Sequence, residues 1–425
     1  MASNRAKTPE QRRSRSDSVL STDSVSAVES EQASAGATKG LTAEQTKKAE
    51  SRLSKMITRS VYGLAMIFTF SVLTWLGHPY LVFLVVMLQF GLFRELVNVH
   101  YEPAKEKHVP LFRTIQWSMF MVAMQYMYGK VFVKLGLARS LMRQLPAWLA
   151  PYVNAAIRYR SIITFTAYVT VFVTFVLTLK KGLYQYQIKN VVWTVAILCL
   201  VVYQVRGTAE LIFGGLFWFL LPCSLVIFND IAAYFCGQLM GKRFISAPFL
   251  SLSPNKTWEG FIGAFFCTLV YGWYFSDWTS RYDWFVCPQL DLETYGSLDC
   301  EPAAHFVVQN LVLPYEDFRL LTLEAKPVQL HALCLACFAS LIAPVGGFLA
   351  SGIKRAYNIK DFDSFIPGHG GVMDRMDCQL LMLLCTYVHV KSFVPQYELD
   401  EEQLFSMITT LPMQSQQRIL QRLTE

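Results

Sequence analysis

Charge is what this chain has least of. Charged residues fill 16% of its 425 positions, against about 25% in soluble proteins. Apolar residues reach 53% and the mean hydropathy is +0.32. So few charges cannot cover 31 Phe, 20 Tyr and 9 Trp on a soluble surface, which excludes an ordinary soluble enzyme. Disorder along the whole length is excluded for the opposite reason, because so apolar a chain has ample surface to bury. A polytopic membrane protein remains. No basic stretch followed by an apolar core opens the chain, so a cleaved leader is not expected. There is no Gly-x-x-x-x-Gly-Lys-Ser/Thr loop, so a soluble nucleotide-binding fold lacks support. Nor is there an internal repeat of the kind that builds many secondary transporters.

Ten cysteines in a chain this long do not make a disulfide scaffold. Cys199, Cys223, Cys236, Cys267, Cys334, Cys337 and Cys385 sit in apolar runs and read as small buried hydrophobes. Cys334 and Cys337 have redox-motif spacing but lie inside a lipophilic segment. Cys287 and Cys300 differ, because they occupy a polar loop. The net charge of +7 is moderate. Spread over bundle loops, it points to an anionic membrane face and not to nucleic acid.

What is present falls into three parts. Residues 1–57 are polar and read as a solvated cytosolic tail, with a candidate basophilic phosphorylation segment from Arg12 to Ser18. Residues 58–393 alternate apolar and short polar stretches, and residues 394–425 form a polar segment with a terminal helix outside the bilayer. The expected fold class is all-α, a polytopic membrane helix bundle. About nine spans are expected, near 61–77, 80–97, 115–134, 161–179, 189–205, 208–228, 261–276, 330–350 and 378–393. With a cytosolic N-terminus, segments 98–114, 180–188, 236–260 and 351–377 face the cytosol and are basic or mixed. The acidic loop from Asp277 to Lys326 then faces the lumen. Arg139, Arg143 and Arg158, in a segment this scheme also sends to the lumen, run against it. Cys287 and Cys300 fall on the oxidising side, where they form either a disulfide or two free thiols.

Chemistry concentrates in two polar segments on the same side. The second runs Ser351-Gly-Ile-Lys354-Arg355, Lys360-Asp361 and Pro367-Gly368-His369-Gly370-Gly371-Val-Met-Asp374-Arg375-Met-Asp377. Asp374 and Asp377 are spaced i, i+3, which puts both carboxylates on one face of a helix. Two carboxylates plus phosphate oxygens are the usual way Mg²⁺ is held. Gly370 and Gly371 precede that helix and would let backbone N–H groups approach an anion at its positive end. Lys354, Arg355, Lys360 and Arg375 supply cations for several phosphates. Asp residues that only cap a helix, beside cations that obey the positive-inside rule, are the plainer reading. Four cations, four acids, a His and a Gly pair within twenty-seven residues outweigh it.

The first segment repeats the composition. Asn229-Asp230 ends an apolar run, and an acid at membrane depth is costly and functional by default. Ser253-Pro254-Asn255-Lys256-Thr257-Trp258-Glu259-Gly260 reads as a helix start with Ser253 as N-cap, or as hydroxyls and a lysine offered to a nucleotide phosphate.

The run from Ser351 to Asp377 resembles the signature of the phosphatidate cytidylyltransferase (CDP-diacylglycerol synthase) family. The Asp230-to-Gly260 segment resembles the same family's Asp-x-x-Ala-Tyr and Ser-Pro-x-Lys-Thr-Trp-Glu-Gly pattern. The likeness covers roughly 61–393, and the long polar tail resembles eukaryotic members. Two departures stand out: Asp363 replaces the usual Gly, Ser or Ala, and Gly347 stands where bacterial relatives carry an acid.

The resemblance implies CTP plus phosphatidate giving CDP-diacylglycerol and pyrophosphate, with Mg²⁺. It also implies a multi-pass endoplasmic reticulum protein, a site facing the cytosol and a homodimer. Under it, Asp374, Asp377 and Asp230 are expected at the metal. Lys354, Arg355, Lys360, Asp361, His369 and Arg375 are the expected catalytic set. Asn229, Ser253, Lys256, Thr257, Ser351, Gly370 and Gly371 are expected to bind and orient substrate. A CTP-dependent polyprenol kinase, which would release CDP and need a base for an alcohol, is the competing enzyme reading. A secondary transporter is the competing reading from another class.

Overall fold

A computed structural model of the chain describes residues 57–58, 60–100, 109, 111–134, 141, 145–245, 249–250, 256–289, 300–312, 322–365, 367–368, 370–394, 408–409 and 413–424. The expected tail, with its Arg12–Ser18 segment, lies outside the described residues, as do Ser253 and His369. The chain divides into residues 1–63 and 64–425. In the first unit the described residues are helical and include the start of α1 (Ser60–Leu76).

The second unit is a helix bundle. Its elements are α2 (His78–Asn98), α3 (Phe112–Lys134), α4 (Ala150–Arg158), α5 (Arg160–Leu177), α6 (Tyr184–Leu198), α7 (Thr208–Phe213), α8 (Phe217–Met240), α9 (Trp258–Thr279), α10 (Asp283–Val286), α11 (Pro327–Leu341), α12 (Pro344–Ala356), α13 (Met373–Phe393) and α14 (Met413–Thr424). One antiparallel pair, β1 (Gln309–Val312) with β2 (Thr322–Ala325), sets Gln309 opposite Ala325.

Among the described residues five stretches are long and apolar enough to cross a membrane: His78–Asn98, Arg160–Leu177, Tyr184–Phe213, Phe217–Met240 and Pro327–Ala356. The helix Ser60–Leu76 is apolar but shorter. Each of the nine expected stretches is largely helical, yet the count of nine does not follow from these lengths. The break expected near residue 207 is a π-turn (Cys199–Tyr203) and the short α7, while the long helix begins only at Phe217. The stretch near 330–350 is two helices, because Pro344 starts a new one at its first position.

Two cores hold the bundle. Leu81, Val85, Leu92, Phe93 and Leu96 of α2 pack with Phe120 and Met124 of α3 and with Met373, Leu380 and Leu383 of α13. Phe217, Leu221 and Leu225 of α8 pack with Ala332, Leu335, Ala336 and Ala339 of α11 and with Met382 of α13. The alanines recur at helical spacing, so α11 presents a shallow face that neighbouring helices can approach closely, as membrane helices prefer. The α8–α9 contact is tighter still. A Cβ on Gly260 would lie 2.9 Å from the Ala233 carbonyl oxygen, so only glycine permits that crossing.

Chain direction sorts the polar ends. The C-terminal portions of α2, α8 and α12 and the N-termini of α9 and α13 gather at one end, beside Glu95, Asp230, Lys256, Lys354 and Asp374. The other end carries the loop after α9. There Lys326 Nζ lies 3.0 Å from Asp277 Oδ1, and Arg281 also pairs with Asp277. Cys287 and Cys300 are joined there as a disulfide with Cα atoms 5.8 Å apart.

Candidate active site

Helix α8 brings Asn229 and Asp230 to the polar end. Asn229 is buried, and its Oδ1 accepts a hydrogen bond from Thr268 Oγ1 at 3.2 Å, tying α8 to α9. Asp230, the next residue, lies within electrostatic reach of Lys256, Asp377 and Arg375. Three segments distant in sequence therefore meet at this carboxylate.

Helix α9 starts at Trp258 with Thr257 as its N-cap, and the Thr257 hydroxyl accepts from the Gly260 N–H at 3.2 Å. The expectation of a Ser253 cap with Thr257 inside the helix is corrected: Thr257 itself ends the extended approach. Lys256, just before the cap, stands over the Phe348 ring with Nζ 4.6 Å from its centroid. Glu259 latches the turn that ends α8, because its Oε1 accepts from Ile245 N–H at 2.9 Å and Phe244 N–H at 3.0 Å. Those donors, Ile245 foremost and Glu259's own N–H next, hold its carboxyl down to about 2.

Helix α12 carries Ser351, Lys354 and Arg355. The Ser351 hydroxyl donates to the Gly347 carbonyl at 2.8 Å, one turn back in its own helix. Lys354 Nζ lies 2.8 Å from Asp374 Oδ1. Asp374 Oδ2 accepts from the Phe362 N–H at 3.2 Å and the Gly371 N–H at 3.0 Å. Asp374 thus joins α12, the loop at 361–363 and the first turn of α13.

The two carboxylates expected to act as one i, i+3 pair are therefore engaged differently. Asp374 is occupied by a lysine and two backbone donors. Asp377 Oδ1 accepts from the Cys378 N–H at 2.8 Å, and its Oδ2 borders Gly347, where a Cβ would sit 3.3 Å away. The position at which bacterial relatives carry an acid is accordingly in contact with Asp377. Lys354 and Lys256 lie in electrostatic reach of Asp377. Asp377 and Asp230 come within electrostatic reach of each other, as Asp363 and Asp374 do of Glu95.

The anion cradle expected at the start of α13 is also changed. The Gly371 N–H goes to Asp374, and the N–H groups of Val372 and Met373 go to Glu95, at 2.7 and 2.8 Å. Gly370, at φ +80°, turns the chain in a conformation that favours glycine, and a Cβ there would lie 3.6 Å from Asp361 Oδ1. Arg355, Lys360, Asp361 and Arg375 are exposed around this turn. Arg94, on α2, lies 3.9 Å from Asp363, so the extra acid at 363 meets a cation.

Arg94, Glu95 and Phe348 were absent from the sequence-based set. The rule that singled out Asp230, an acid within an apolar run, applies equally to Glu95.

Among the described residues no three His, Cys, Asp or Glu side chains converge closely enough to cage an ion. Two carboxylates backed by lysines nevertheless fit Mg²⁺, which takes hard oxygen ligands, keeps its waters and shares phosphate oxygens with a nucleotide.

Residues 57–393 match the model of the cytidylyltransferase family. A probable phosphatidate cytidylyltransferase of Dictyostelium discoideum is 39% identical over 383 residues, covering 88% of this chain and 78% of the relative. Phosphatidate cytidylyltransferase 1 of Arabidopsis thaliana is 38% identical over 378 residues, covering 88% and 87%. Phosphatidate cytidylyltransferase 1 of Rattus norvegicus is 38% identical over 363 residues, covering 83% and 76%.

Proposed function

This chain belongs to the cytidylyltransferase family, among the phosphatidate cytidylyltransferases, and on that footing we propose how its residues carry out the reaction. CTP and phosphatidate react to give CDP-diacylglycerol and pyrophosphate. A phosphate oxygen of phosphatidate attacks the α-phosphorus of CTP, the bond to the β-phosphate bridging oxygen breaks, and that oxygen leaves with pyrophosphate. The nucleophile is already an anion, so the site needs no strong base. The obstacle is the mutual repulsion of two polyanions, which calls for cationic screening and alignment.

The observation that carries this reading is the meeting of Asp230, Lys256, Lys354 and Asp377 from four separate segments at one end of the bundle. Asp230 and Asp377 would hold Mg²⁺, which when bound neutralises triphosphate charge. Asp374 keeps Lys354 and the first turn of α13 in place. Lys256, Arg355, Lys360 and Arg375 receive the phosphates, and Thr257, Ser351 and the Gly370–Gly371 turn shape the walls. Asn229 braces Asp230 through Thr268, and Asp361 borders the Gly370 turn. His369 and Ser253 complete the expected set from sequence. A site at helix ends lets water-soluble CTP meet a lipid held beside the bundle, so we assign this end to the cytosolic face of the endoplasmic reticulum membrane. A homodimer is expected.

Purified protein given α-³²P-CTP and phosphatidate should place label in the lipid product. Unlabelled lipid would exclude the transferase, and labelled CDP formed only when a polyprenol is added would identify the kinase.

A further inference from the structure

We propose that Glu95 is a positioning residue for cytidylyl transfer: its buried carboxylate holds the first turn of α13, and so the direction in which Asp377 points. The proposal rests on the function assigned above.

Glu95 lies near the end of α2 and is only 2% exposed. Each of its oxygens is used, Oε1 by the Val372 N–H at 2.7 Å and Oε2 by the Met373 N–H at 2.8 Å. These bonds join residues 277 and 278 positions apart in sequence. A carboxylate at a helix N-terminus is favoured by the helix dipole, and charge makes both hydrogen bonds stronger than neutral ones. The contact is built in from both sides. Phe93 and Leu96, beside Glu95, belong to the core and fix α2, while a Cβ on residue 371 would come within 2.6 Å of Glu95 Oε2. Glycine at 371 is thus the condition for the carboxylate to reach its donors.

Two consequences follow for the reaction. Asp377 sits one turn along the helix that Glu95 anchors, so tilt or fraying of that turn moves it away from Asp230. The Val372 and Met373 donors are closed to substrate phosphate, which leaves side-chain cations to bind it. Asp363 and Asp374 bring further negative charge toward Glu95, which Arg94 and Lys354 offset.

The test compares full-length wild-type protein with Glu95→Gln, Glu95→Ala and Gly371→Ala in detergent. Amide hydrogen exchange is read over 370–376, with kcat and KM for CTP in parallel. Gln keeps one acceptor, so exchange should quicken in the order wild type, Gln, Ala, confined to that segment. Turnover should fall about tenfold for Gln and about a hundredfold for Ala, on the scale of misplacing a reacting group by 1 Å, with KM for CTP within about threefold. Gly371→Ala crowds the same contact without altering α2 and should lower kcat similarly; it decides the matter if the Glu95 variants fail to fold. Faster exchange with unchanged kcat would show that the cap does not serve the chemistry. Unchanged exchange would show that the cap is not made. Wild-type protein without cytidylyl transfer would overturn the assigned function, while the exchange measurements would still decide whether Glu95 holds the helix.

Discussion

Lys354 reaches Asp374 at 2.8 Å, and that ion pair separates the tasks of two carboxylates only three residues apart. Asp374 is held by Lys354 and by the Phe362 and Gly371 N–H groups. Asp377, held by the Cys378 N–H, lies within electrostatic reach of Asp230.

The two aspartates should therefore fail in different ways. Asp377→Asn and Asp230→Asn should lower turnover by roughly a hundredfold or more, on the scale of losing one key electrostatic group. Both should need more Mg²⁺ while keeping their unfolding temperature. Asp374→Asn should leave Lys354 without its charge partner and cost roughly 2 kcal/mol of stability. Thermal unfolding and Mg²⁺ titration of the three variants check this. A stable Asp377→Asn enzyme with ordinary rate and Mg²⁺ dependence would remove it from the metal site.

Glu259 supplies a pH dependence with a defined sign. Its folded carboxyl is held at about 2, below the ordinary 4.5. The folded state thus binds fewer protons than the unfolded state between those values. The latch onto Ile245 and Phe244 is complete above about pH 4.5 and is lost as pH falls toward 2. Peptic cleavage at Phe244 should accelerate across that window. Glu259→Gln should show accelerated tryptic cleavage at Lys242 and Arg243 already at neutral pH.

The disulfide gives a test of both redox state and orientation. Cys287 and Cys300 enclose a separation of 13 residues. Loops of that size gain about 3 kcal/mol from closure. Cys287→Ser should lower the unfolding temperature. In sealed microsomes the wild-type pair should resist thiol reagents until reduced and permeabilised. Ready labelling from outside would invert the membrane assignment.

Phe348 offers a smaller effect. Lys256 stands 4.6 Å from the ring centroid, a contact worth about 0.5–1 kcal/mol where exposed. Phe348→Leu should raise KM for CTP about two- to fivefold with kcat kept. An equal fall in kcat would mean that the ring shapes the site in some other way.

Much of this was legible in sequence. Charge scarcity gave the bundle, and the two polar segments already carried Asp230, Lys256, Lys354 and Asp377 among the candidates. What spacing could not convey was which partner each group meets. The i, i+3 rule places Asp374 and Asp377 on one face but says nothing of Lys354, twenty residues earlier, arriving to occupy one of them. Glu95 meets the same rule as Asp230, an acid within an apolar run, but its donors 277 and 278 residues away lie in no local pattern. Thr257 rather than Ser253 caps α9, because both residues suit an N-cap chemically and only the backbone decides. The helix ends were less legible: Pro344 starts a second helix inside one expected stretch, and a π-turn falls inside another.

The ion pairs of Lys354 with Asp374 and of Arg94 with Asp363 bear on how a nucleotide first arrives. Those cations begin each cycle already matched, whereas Arg355 and Lys360 stand on the exposed rim. Under the roles proposed above, diffusional capture of CTP falls to the rim, where salt screens charge over about 8 Å at physiological strength. Association should slow as ionic strength rises, while the rate of transfer from already bound nucleotide holds steady.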